Sequence, residues 1–192
     1  MYPPVRYVSH VPKNRRKEDI VTMAIQNAED LFVSMLSHLH ASEGRLQRIC
    51  EEMSKVAENE KAKEVLEVRA FLTKQAVSGI EECFRILGKQ PSRPDTRFEE
   101  VWLENVHNVL KEIESPVLKG MYVIHKIREV QSLHVAEYRG LMAMAYLAEN
   151  YPVATLLARN LADKVEFIDR TDELIREIGK GVITARILRR VA

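Results

Sequence analysis

Glu43 is the residue in this chain whose position most demands a chemical reason. It fills the one wide gap in an apolar series, Phe32, Leu36, Leu39, Leu46, Cys50 and Met53, that otherwise steps by fours and threes. Such a series is the buried face of a helix in a bundle. A carboxylate set into it costs about several kcal/mol unless it is paired or ligated. A second helical series, Val123, Ile127, Val130, His134, Glu137, Leu141, Met144 and Ala148, carries a histidine and another carboxylate. Thr73 lies on a third series with Glu81 just beside it, and Asp163 and Lys164 lie near a fourth. Carboxylates and histidines projecting into a four-helix core can hold a pair of iron or manganese ions. They can equally neutralise one another as buried ion pairs.

The metal chemistry asks for a Glu-x-x-His from each of two helices. Here Gln131 stands three residues before His134, and the helix that carries Thr73 has no histidine. A hard divalent ion wants several carboxylate oxygens. For Glu43 and His134 alone, a buried hydrogen-bonded pair is therefore the more economical expectation. No Gly-rich phosphate loop, serine nucleophile elbow or Cys/His zinc spacing occurs, so those activities have no residues to rest on.

The elements that must position these groups are long helices. Only 6% of residues are aromatic, and seven Gly and seven Pro in 192 residues leave few turns, which reads as all-α. The first long helix is expected over residues 19–57, with a break near Asn27, and Gly44 is expected to allow close approach of a neighbour. The second carries Leu66, Ala70, Thr73, Val77, Ile80, Phe84 and Leu87, stopped by Gly88. A shorter helix over residues 97–114 contains the single tryptophan, Trp102. Ser115-Pro116 then opens the third long helix, expected to run to about Glu149. The fourth is expected over residues 152–178, with Leu157, Leu161, Val165, Ile168 and Ile175 inward and Gly179 as its end. Residues 1–18 form a basic arm and residues 180–192 a basic tail around a bundle spanning residues 19–179.

The arm has five basic residues against Glu18, and the tail has four with no acid; a net charge of +1 overall leaves the body acidic. That distribution does not describe a nucleic-acid-binding domain, and nothing aromatic or base-reading accompanies the basic ends; weak DNA contact through those ends is kept as a lesser alternative. Cys50 and Cys83 fall on or beside apolar seams and read as buried thiols in a reducing, cytoplasmic setting. No signal-peptide pattern and no apolar run of membrane-spanning length is present, so no membrane partner is expected.

Over residues 25–178 the chain resembles the YciE/YciF-like branch of the ferritin-like superfamily, small stress-associated bacterial proteins. The likeness rests on Asp30-Leu31-Phe32, Ser42-Glu43-Gly44-Arg45-Leu46 and Met53 in the first long helix. In the second it rests on Ile80-Glu81, Phe84 and Ile86-Leu87-Gly88-Lys89-Gln90-Pro91, and in the third on Val130, Val135-Ala136 and Tyr138. The resemblance implies a ferritin-like four-helix bundle, with the shorter helix in the connection between the second and third long helices. It also implies a polar metal-binding core, and there the chain departs. The Glu, His and second Glu of the family signature fall on Gln131, Ser132 and His134. The His, Glu and Gln expected on the second helix fall on Arg69, Leu72 and Ala76, and a Glu-Glu pair falls on Asp163-Lys164.

Candidate metal ligands are thus Glu43, Glu81, His134 and Asp163, for iron or manganese if the site is intact. The favoured expectation is an ion-pair network with Arg69 and Lys164, no cofactor and no catalytic residue, in a structural or stress-associated protein. A homodimer is expected, on the ground that Trp102, Val106 and Leu110 of the short helix would otherwise lack cover. The tail Ile183–Arg190 loosely resembles peptides that carry ferritin-like cargo into encapsulin shells. A short basic helix packing on its own bundle, or on a dimer mate, is the simpler account of it.

Overall fold

The computed structural model describes residues 25–94 and 97–191, with side chains described as far as Lys180 apart from Val56 and Ile178. Five helices follow one another: α1 (Ala28–Val56), α2 (Glu60–Leu87), α3 (Arg97–Glu112), α4 (Pro116–Leu147) and α5 (Tyr151–Val191). Local chemistry sets most of their ends. Asn27 is extended, and its side chain accepts from the Asp30 amide at 2.9 Å. Asn59 does the same for Ala62 at 3.0 Å, and Ser115 caps α4 ahead of Pro116. Gly88 closes α2 in the left-handed region at φ 64°, where a side chain would be strained. The break expected near Asn27 is therefore where α1 begins; residues 19–24 of the expected first helix, like the basic arm, lie outside the described residues.

The direction of the helices follows from what they pack against. Phe32, Leu36 and Leu39 of α1 share one apolar cluster with Ile80 and Phe84 of α2, Tyr138 and Leu141 of α4, and Val153 and Leu157 of α5. Leu46, Ile49, Cys50 and Met53 share a second with Leu66 and Ala70 of α2, Val123, Ile127 and Val130 of α4, and Phe167 of α5. The late part of α2 thus lies beside the late part of α4, so these two helices run the same way. The chain must traverse the bundle between them, as in one-crossover bundles. α3 makes that traverse over α4 and the edge of α1, from Glu99 beside His38 to Leu110 against the second cluster. This is the expected all-α bundle with a short helix in its long connection.

Three expectations, and the ground given for a fourth, give way. Trp102, Leu103 and Leu110 pack on the second cluster and Val106 is fully covered, so the residues that argued for a dimer find cover within their own chain. α5 does not end at Gly179: an interior glycine costs only about 1 kcal/mol, and no proline or left-handed residue follows to stop the helix. The inward face of α5 is Val153, Leu157, Asn160, Lys164, Phe167 and Thr171, while Val165 is exposed. The seam expected there slipped by one position because polar residues hold half of the true one. Gly44 has nothing within 4 Å of where a Cβ would stand, so it admits no close neighbour.

Candidate functional site

Between the two apolar clusters lies a layer of polar side chains at mid-height, and Glu43 is its centre. Glu43 and Lys164 are both fully buried, and the Lys164 ammonium is ion-paired to Glu43 Oε1. His134 Nδ1 faces the same oxygen at 3.1 Å, an electrostatic contact rather than an aligned hydrogen bond. The opposite ring nitrogen, Nε2, lies 2.8 Å from Ser42 Oγ, which holds the imidazole edge between α1 and α4. Lys164 also donates to Gln131 Oε1 at 3.1 Å and stands 5.3 Å from the centre of the Tyr138 ring.

Arg69 enters the layer from α2 with no exposed surface. Its Nε donates to Thr73 Oγ1 at 2.9 Å, one turn along the same helix, and its guanidinium stands 5.1 Å over the Phe167 ring. Neither terminal nitrogen makes a hydrogen bond. Asn160 fastens α5 to its neighbours by donating to the Ala76 carbonyl at 3.2 Å and to the Tyr138 hydroxyl at 3.4 Å. Gly79 gives it room, since a Cβ there would come within 3.0 Å of the Asn160 amide.

The charges of the layer define one another. Burial alone would raise the Glu43 carboxyl, but Lys164 and His134 together override it and hold the group well below the carboxylate range. Burial pulls Lys164 down to about 8, against the opposing attraction of Glu43. Burial also lowers Arg69 and pushes the Tyr138 hydroxyl well up, the latter reinforced by the negative charge of Glu43. Arg69 and Lys164 set two cations against a single buried carboxylate. The core therefore holds a matched acid and base, Glu43 and Lys164, with the Arg69 guanidinium as an excess positive charge.

The expected ligands do not converge. Glu43 and His134 meet, but Glu81 is largely exposed and reaches only His40 at 3.5 Å. Asp163 is half-buried on the groove between α2 and α5, beside Gly79 and Asn160. Among the described residues, no group of three or more His, Cys, Asp or Glu side chains is placed to hold a metal ion. Glu137, on the expected α4 seam, turns to the α1–α3–α4 side and faces His38 Nδ1 at 3.3 Å. Ser42, Tyr138 and Asn160 were not anticipated as members of the layer. The spacing of Asn160, Lys164, Phe167 and Thr171 could have revealed the α5 contribution had polar residues been counted.

No helix among the described residues is long and apolar enough to cross a membrane. No curated protein matches the chain. Solved structures that share its architecture include the following three. The stress protein YciF of E. coli superimposes with a TM-score of 0.76 at 18% identity, over 81% of this chain and 99% of that one. YcfI, a putative structural protein of Rhodopseudomonas palustris, gives 0.72 at 18% identity, over 82% and 98%. A protein of Xanthomonas campestris gives 0.63 at 18% identity, over 86% and 100%. At these identities the likeness speaks for the fold. The sequence itself matches the family profile described as a domain of unknown function, DUF892, over residues 27–186, and the chain belongs to this YciF-like family.

Proposed function

We propose that this protein is a non-catalytic, ferritin-like bundle with a structural or stress-associated role in the cytoplasm, in which a buried ion-pair layer stands where this fold can carry a metal centre. The observation that carries the reading is the Lys164 ammonium seated on Glu43 Oε1. Iron or manganese, which the resemblance implies, does not fit these residues. A divalent ion at Glu43 would have to displace the ammonium and then sit beside Arg69. It would gain a single buried carboxylate and one imidazole, whereas hard cations need several oxygen donors. Two of its structural neighbours, named as a stress protein and a putative structural protein, are compatible with this role.

Matched charges in a core do not favour catalysis, because a general acid or base must be free to exchange its proton with a substrate. They do favour a single register: the layer ties α1, α2, α4 and α5 together through charged and polar contacts between specific side chains. Metal analysis of protein purified without chelator tests the reading. Substoichiometric iron and manganese is the expected result, and stoichiometric content of either would overturn it.

A further inference from the structure

A cavity of about 320 Å³ opens between α1, α3 and α4, lined by His134 and not by Glu43. That volume is at the lower end of small-molecule sites, which run from about 300 to 1,000 Å³. Its walls are apolar and partly aromatic, with Leu46, Ile49, Phe98, Trp102, Val130 and Leu133. Phe98 and Leu133 are substantially exposed, at 60% and 49%, so the apolar lining continues to the surface.

Two carboxylates stand at this cavity without enough donors. Glu99 is 7% exposed, and its Oε2 is buried with no hydrogen bond. Glu137 likewise keeps a buried Oε2 with no hydrogen bond. His38 lies between them, 3.8 Å from Glu99 Oε1 and 3.3 Å from Glu137 Oε1, so it faces the other oxygen of each carboxylate. Arg45, also on the lining, is drawn to Glu100 at 3.8 Å. An unsatisfied buried acceptor costs about 1–3 kcal/mol and more when charged, so it marks a place where a donor belongs. The terminal carboxyl torsion of a glutamate is broad, and a small rotation presents either oxygen to the cavity.

We infer that this cavity binds a small organic cation, a protonated amine on an apolar body, with Glu99 and Glu137 taking the ammonium and Phe98, Trp102 and Leu133 covering the hydrocarbon. An anion would meet two carboxylates. A bare metal ion would lack ligands, since no three His, Cys, Asp or Glu among the described residues converge. Its hydrated form would gain nothing from six apolar walls. An ammonium supplies three donors and stacks favourably beside an indole. The inference does not depend on the ion-pair layer.

The sole tryptophan is in the wall, so its fluorescence reports occupancy directly. Titration of the full chain with phenethylammonium, followed by Trp102 emission and calorimetry, is expected to give saturable single-site binding. The uncharged analogue 2-phenylethanol is expected to bind about tenfold more weakly, the difference made by the charged hydrogen bonds. Glu99→Gln should remove that tenfold preference and leave the alcohol's affinity unchanged. Glu137→Gln, at a half-exposed position, should lower the preference in the same direction. Equal affinities for the ammonium and the alcohol, tighter binding of 3-phenylpropionate, or no saturable response to the ammonium would each overturn the inference.

Discussion

Lys164 places its ammonium on Glu43 Oε1, and neither side chain has any surface exposed to solvent. Two opposite charges are thus committed to each other in a place where neither could be hydrated. Breaking such a pair from one side strands the other charge and typically costs about 3–5 kcal/mol, whereas replacing both members by apolar groups is often close to neutral. The layer around them should behave accordingly.

Acid should loosen the bundle through Glu43. Its folded carboxyl titrates far below the ordinary value of 4.5, held there by Lys164 and His134 against the opposing effect of burial. The resulting stabilisation is complete above about 4.5 and is lost as pH falls below it, because the unfolded chain takes up the proton first. The slope attributable to one such group approaches about 1.4 kcal/mol per pH unit. Urea midpoints between pH 5 and 3 should therefore fall more steeply for wild type than for Glu43→Gln. Parallel profiles would deny Glu43 this role.

At the alkaline end Lys164 gives a slope of the same sign. Burial brings Lys164 in the folded chain to about 8, against 10.5 ordinarily. Between these values the unfolded chain holds the proton more tightly, so the contribution of Lys164 to stability rises with pH, and it is flat below about 8. The stability difference between wild type and Lys164→Met should widen in favour of wild type across that window. A difference that narrows there would contradict the assignment.

Two glycines should respond in opposite ways to the same change. At Gly79 a Cβ would meet the Asn160 amide at 3.0 Å and 3.2 Å, and Asn160 is pinned by the Ala76 carbonyl and the Tyr138 hydroxyl. Gly79→Ala should destabilise by about 1–3 kcal/mol through this overpacking, less the helix-propensity gain. Gly44→Ala meets nothing within 4 Å and should stabilise by about 0.5–1 kcal/mol. Thermal unfolding of the two variants checks both signs.

These glycines also show how much of the molecule was legible in the sequence. Helix α1 could be read closely, since every apolar member of its seam is buried and Glu43 stood out against them. The crossover helix and the caps at Ser115 and Gly88 were equally plain, because single residues with one preferred geometry set them. The α5 face was misread because apolar periodicity cannot see a seam held by Asn160, Lys164 and Thr171. Whether Gly44 or Gly79 faced a neighbour was invisible, since a glycine carries no hydropathy signal on a helix. Of the site, Glu43 and His134 were marked by their own seams. Arg69 and Lys164 became meaningful only against an expected pattern of ligands, and Glu81 and Asp163 were drawn in by that pattern although they lie elsewhere.

The thiols should be silent in the native state. Burial pushes both Cys50 and Cys83 up to about 12, leaving little thiolate, and the thiolate is the reactive form. Labelling by a maleimide at neutral pH should proceed only as fast as the bundle opens, and should become immediate in denaturant. Rapid labelling of the folded chain would mean that the core around Cys50 is open to solvent.

The most direct test of the central claim is a double-mutant cycle on Glu43→Leu and Lys164→Leu, read by equilibrium urea unfolding without added metal. Each single change should cost about 3–5 kcal/mol, and the double variant should cost far less than their sum, because no charge is left stranded. Costs that simply add, together with a wild-type melting temperature that manganese raises and Glu43→Leu abolishes, would mean that Glu43 is a metal ligand and not the partner of Lys164.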